Sequence, residues 1–122
     1  MASKKASPLK KAVAHLEEAL TLYDKRASND ELSFLTLSKA FEVLVEYGWR
    51  ELKRRVEGEG LEIQSPKEAV RQAAKLKIIS DPQQWIKAIE NRNASVHDYF
   101  GIGEKAFVAI ARKFLVFAKE IT

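Results

Sequence analysis

The chain has 122 residues, 46% of them hydrophobic and 31% charged, with a net charge of +4 and no cysteine. These values fit one globular domain with its own core, and they exclude a disordered chain, a disulfide framework and a thiolate metal site. No apolar run approaches the roughly 20 residues needed to span a bilayer, and the basic segment Met1–Pro8 is not followed by the apolar stretch of a secretory signal. The expectation is a cytoplasmic protein with a flexible basic tail over 1–7 and a single domain over 8–122. A charge of this size is compatible with nucleotide or nucleic-acid contact, but solubility alone accounts for it equally well.

Leu9, Val13, Leu16, Leu20 and Tyr23 recur at steps of three and four, which makes one apolar helix face. A first helix is expected from Pro8 to about Arg26, with Pro8 in the first turn, where its missing N–H costs nothing. Ser28 and Glu31 have the spacing of a capping box. They are expected to start a second helix that runs to about Glu57, where Gly58 and Gly60 stop it. Its face includes Phe34, Leu37, Phe41, Val45, Gly48 and Leu52. The segment Phe41 to Trp49 is apolar almost all round, so this helix must be covered on more than one side. It is either the central helix of the bundle or one that also meets a second subunit.

Ser65-Pro66-Lys67-Glu68 is another capping box, and it opens a short third helix ending near Lys77. Asp81-Pro82-Gln83-Gln84 opens a fourth helix, which reaches Val96 or His97. Phe100-Gly101-Ile102-Gly103 breaks the pattern as a hinge. A fifth helix follows, burying Phe107, Ile110, Phe114, Leu115, Phe117 and Ile121. No alternating strand pattern occurs. Five helices with short connections imply an all-α, up-and-down antiparallel bundle.

The fourth helix carries an anomaly. Its apolar stripe is Trp85, Ile86, Ile89 and Val96, yet positions 92 and 93, in the middle of that stripe, are Arg and Asn. A guanidinium withdrawn from water needs a partner. Glu42 and Glu46 are the acidic residues in the apolar middle of the second helix, and Glu46 is the preferred partner for Arg92. Asn93 and His97 are four apart and share a face. Arg92 and His97 stand about 140° apart on a regular helix. They converge on one ligand only at a helix end or bend, or if a second subunit completes the site. One reading is a buried ion pair that keeps the bundle in register. The other is chemical: His as a general base near neutral pH, Arg to hold a phosphate, and a phenol at Tyr99. That set suits metal-independent cleavage of RNA, and it equally suits binding a nucleotide without cleaving it.

The stretch Arg92-Asn93-Ala94-Ser95-Val96-His97-Asp98-Tyr99 resembles the Arg, four residues, His, any residue, Tyr signature of HEPN domains (higher eukaryotes and prokaryotes nucleotide-binding). Phe41-Glu42, Glu46 and Trp49 to Lys53 are similar to the second helix of the nucleotidyltransferase substrate-binding branch. Ser65 to Arg71 and Trp85 to Tyr99 match that branch in order and spacing. The resemblance implies a dimerising helical bundle with a separately encoded minimal nucleotidyltransferase as partner. By carry-over, Arg92, Asn93, His97, Tyr99 and Glu46 contact a nucleotide or RNA. Should the chain be a ribonuclease toxin neutralised by its partner, Arg92 and His97 are the catalytic pair, and Tyr99 is the residue that the partner modifies. The match to the substrate-binding branch is the stronger of the two. A plain structural scaffold is the third alternative. No cofactor is expected, and two histidines without cysteine make no dedicated metal site.

Weaker signals have simpler readings. His15 is a surface histidine. Lys53-Arg54-Arg55 ends the second helix, where cations favour the dipole. Trp49 and Trp85 are core or interface anchors.

Overall fold

A computed structural model describes residues 7–97 and 103–122. Within them lie five helices: α1 (Pro8–Asp24), α2 (Leu32–Glu57), α3 (Pro66–Lys75), α4 (Pro82–His97) and α5 (Glu104–Ala118), the last continued by a 3₁₀ turn over Lys119–Ile121. No strand is present among the described residues, and no helix among them is long and apolar enough to cross a membrane.

The starts of the helices follow cap chemistry. The Ser7 hydroxyl accepts the amide of Lys10 at 3.1 Å and opens α1, so Ser7 belongs to the cap; residues 1–6 lie outside the described residues. Asp81 accepts the amides of Gln83 and Gln84 and opens α4. At α3, Ser65 accepts the Glu68 amide at 3.2 Å, and Glu68 returns a carboxylate oxygen to the amide of Gln64 at 2.8 Å. The box thus closes one residue earlier than the usual reciprocal pattern.

The start of α2 corrects the sequence reading. Ser28 caps nothing. Asp30 accepts the amides of Leu32 and Ser33 and the Ser33 hydroxyl, and the helix begins at Leu32. A carboxylate has more acceptor sites than a hydroxyl, so it satisfies two orphan amides and a side chain at once. α1 ends at Asp24 rather than Arg26. α3 ends at Lys75, in a Schellman motif with Lys77 in the left-handed region at φ 63°. There the amide of Ile78 reaches the carbonyl of Ala73, and that of Lys77 reaches Ala74.

The five apolar positions of α1 are all buried. α2 packs against α1, α3, α4 and α5, so it is the central helix, and its all-round apolar middle has cover on several sides. Consecutive helices are neighbours and α5 returns to α1, giving an up-and-down bundle. Phe107 and Phe114 of α5 and Ile121 of the 3₁₀ turn are buried, whereas Ile110, Leu115 and Phe117 are only half-buried. Small residues decide the inner face there, because Ala111 and Ala118 let α5 approach closely and are fully covered.

Aromatic rings form the spine of the core. Tyr23, Phe34, Phe107, Phe41, Phe114 and Trp85 contact in that order, at centroid separations of 6.4, 5.5, 5.2, 6.0 and 4.9 Å. The last four contacts are edge-to-face, the arrangement that ring quadrupoles favour.

Candidate functional site

The site grows out of the end of this spine. Trp85 of α4 is fully buried, with its ring at 89° to that of Phe114. It lies so close to α2 that a β-carbon added to Gly48 would stand 2.9 Å from its Cζ3. The absence of a side chain at Gly48 is therefore what lets α4 approach α2 so closely. Further along α4, that approach brings Arg92 within reach of Glu46.

Arg92 Nη1 donates to Glu46 Oε1 at 2.7 Å. The Trp49 indole N–H donates to the same oxygen at 3.3 Å. Glu46 Oε2 faces Arg50 Nη2 at 2.8 Å. Arg92 Nε donates in turn to Asn93 Oδ1 at 3.1 Å. The Arg92 side chain is 18% exposed and that of Glu46 31%, so the pair sits at the rim of the core. Glu42 turns instead to Lys39, at 3.0 Å. Each of the two glutamates thus has its own cation, which removes the repulsion expected of like charges four residues apart. Burial pushes the Glu46 carboxyl up. Hydrogen bonds from Arg92 and Trp49, with the charges of Arg50 and Arg92, outweigh it and hold the group below the ordinary glutamate value.

The other expected residues fall out differently. Asn93 is exposed, not inside the stripe. It lies about 80° around the helix from Trp85, whereas Arg92 lies within about 20° of it. The buried amide is Asn91, 6% exposed and three residues past Ala88 on the covered face; its Nδ2 has no partner among the described residues. A tally of apolar positions cannot find a buried polar residue; helical spacing from Ala88 could have. α4 ends at His97. The His97 side chain, Tyr99, Gly101 and Ile102 lie outside the described residues, and Gly103 is the N-cap of α5.

Arg54 and Arg55 are both held by Glu51, at 2.5 and 2.7 Å, and Arg55 also reaches the carbonyl of Ile121 at 2.8 Å. They line a cavity of about 460 Å³ with Tyr47, Arg50 and Thr122. Through its carbonyl partner Arg55 clamps the 3₁₀ turn after α5, while Arg54 stays with Glu51 on its own helix. His15 is exposed on α1, between Lys11 and Glu18, along the seam with α2. Among the described residues no three His, Cys, Asp or Glu side chains come together as a metal site would require.

The fold has close counterparts. One is a protein of Thermus thermophilus, 22% identical, with a TM-score of 0.79 over 93% of this chain and 94% of that one. Another is a Haemophilus influenzae protein, 20% identical, with a TM-score of 0.78 over 93% of each chain; its structure is described as revealing the fold of a substrate binding domain of a nucleotidyltransferase. At these identities the likeness establishes the shared fold. Among curated proteins no sequence matches the chain. The model of the family described as "Nucleotidyltransferase substrate binding protein like" matches residues 4–122. That match spans every residue from which the bundle and the Arg92–Glu46 contact are built, and the chain belongs to this family.

Proposed function

We propose that this chain is a HEPN-type subunit that pairs with a minimal nucleotidyltransferase and holds the phosphate part of its nucleotide or RNA substrate at the Arg92 end of α4. The observation that carries the reading is the half-buried Arg92 guanidinium, fixed by Glu46 at 2.7 Å at the rim of the bundle. A guanidinium held in one place is a preorganised phosphate binder, since less of its rotamer freedom remains to be lost. Asn93 is exposed next to it and bonded to it. His97 ends the same helix, five residues on. In this reading Asn93, His97 and Tyr99 complete the contacts, and a second copy of the chain brings the two sites together in a homodimer.

The test is co-expression with a minimal nucleotidyltransferase encoded beside it, followed by co-purification and nucleotide titration. We expect a stable complex and a homodimer. Nucleotide affinity should fall at least tenfold in Arg92→Ala, and less in Asn93→Ala. Absence of both a complex and nucleotide binding overturns the proposal. RNA cleavage by the pure dimer, lost in His97→Ala, would instead assign Arg92 and His97 as the catalytic pair of a ribonuclease. A lowered melting temperature in Arg92→Ala with unchanged binding would leave only a scaffold role.

A further inference from the structure

The surroundings of Glu46 go beyond a register-keeping ion pair. Two N–H donors and a second guanidinium, from two helices, converge on one carboxylate: Arg92 and Trp49 donate to Oε1, and Arg50 forms an ion pair with Oε2. The two oxygens of a carboxylate belong to one small group, so the two guanidinium groups flank it, one at each oxygen. They are close enough to share a single tetrahedral anion or two directly linked ones. The Glu46 side chain is 31% exposed and that of Arg50 62%, so the carboxylate has a way out toward solvent. A terminal phosphate carries about −1.5 to −2 charge and three acceptor oxygens, against one charge and two oxygens for Glu46. It therefore satisfies the same donors more fully.

We propose that Glu46 is a carboxylate placeholder in a two-arginine oxyanion site, and that Arg50, with the Trp49 indole N–H, joins Arg92 in binding the phosphate chain of a nucleoside triphosphate, which displaces Glu46. The inference rests on the binding role assigned to Arg92 above. It adds Arg50 and Trp49 as ligand contacts and assigns Glu46 a role opposite to that of a ligand donor: it holds the cations in place while the site is empty and competes when ligand arrives.

The test is calorimetric titration of the full chain with ATP and with inorganic pyrophosphate. Glu46→Gln keeps the shape of the side chain but removes the competing charge, and it should raise ATP affinity about tenfold. Arg50→Gln should lower it at least fivefold, and by a larger factor when combined with Glu46→Gln. Pyrophosphate should compete with ATP and show the same two effects. Lys53→Gln makes the same charge change one turn away, on a side chain 4.0 Å from Glu57; it should leave affinity within twofold. Arg50 is mostly exposed, so its variant retains the fold and carries the test even if Glu46→Gln does not fold. ATP binding that depends on Arg92 but is unchanged in Arg50→Gln overturns this inference and leaves the binding role of Arg92 intact. ATP binding indifferent to both arginines overturns both. A loss in Arg50→Gln that appears only with a single-stranded oligoribonucleotide, and not with ATP, overturns the polyphosphate assignment.

Discussion

Replacing Gly48 by alanine sets two known effects against each other. Alanine is the better helix former by about 1 kcal/mol at an interior position. Gly48 is inside α2 and has ordinary helical backbone, so propensity by itself predicts stabilisation. The new methyl, however, would stand 2.9 Å from Trp85 Cζ3, 3.2 Å from Cη2 and 3.8 Å from Phe114 Cζ. Two of these are shorter than van der Waals contact between carbons. The indole has no easy retreat, because it is fully buried and its ring already meets Phe114 edge-to-face at 4.9 Å between centroids. Overpacking of this kind costs about 1–3 kcal/mol. The balance is a net loss of about 1 kcal/mol, which lowers the melting temperature by roughly 3–5 °C for a domain of this size. Thermal and urea unfolding followed by circular dichroism measure it. Trp85→Leu in the same background is the control: with the ring gone, Gly48→Ala should become neutral or stabilising. A Gly48→Ala protein that gains the full helix-propensity increment with Trp85 in place would refute the claim that a missing side chain sets the distance between α2 and α4.

The Arg92–Glu46 pair makes a prediction with a defined sign. The folded Glu46 carboxyl lies below its ordinary value of 4.5, so the stability it contributes is fully present above that pH and fades as pH falls through the lower folded value. Glu46→Gln should therefore cost about 1 kcal/mol at pH 7, a figure reduced from fully buried pairs because both groups are partly wet. The gap to the parent chain should close as pH is lowered past 4.5; a gap that does not change between neutral and strongly acid conditions would contradict the pairing. At the end of α3, Lys77 holds φ 63°, a region that costs a residue with a β-carbon about 1–2 kcal/mol. Lys77→Gly removes that strain, gives part of it back as chain entropy, and should stabilise the fold by about 0.5 kcal/mol in urea unfolding; destabilisation would show that the lysine side chain itself has a packing role there.

Much of the bundle is legible in local chemistry. The spacing of Leu9 to Tyr23 marks the buried face of α1, and the Ser65 and Asp81 caps mark the starts of α3 and α4, because cap and periodicity act over a few neighbouring residues. Local signals mislead where two of them compete. Ser28 with Glu31 has the spacing of a start, but Asp30, with more acceptor sites, takes the helix amides. Nothing in a lysine at position 77 announces a left-handed turn; the turn exists there because Ile78 and Lys77 reach back to the carbonyls of Ala73 and Ala74.

The polar residues in the α4 stripe divide along the same line. By itself the sequence determined that Arg92 falls on the covered side of α4 and needs a partner, since both follow from helical spacing and the cost of an unpaired charge. It narrowed that partner to Glu42 or Glu46 and favoured the second. Only the tertiary structure decided which outcomes cross from α4 to α2: that Arg92 reaches Glu46 and not Glu42, and that it meets there a carboxylate already faced by Trp49 and Arg50 of α2 itself. The physical reason is that these outcomes depend on how far apart and at what angle α2 and α4 lie. That geometry is set by Trp85 against a bare Gly48, a contact between residues 37 positions apart that no local pattern encodes.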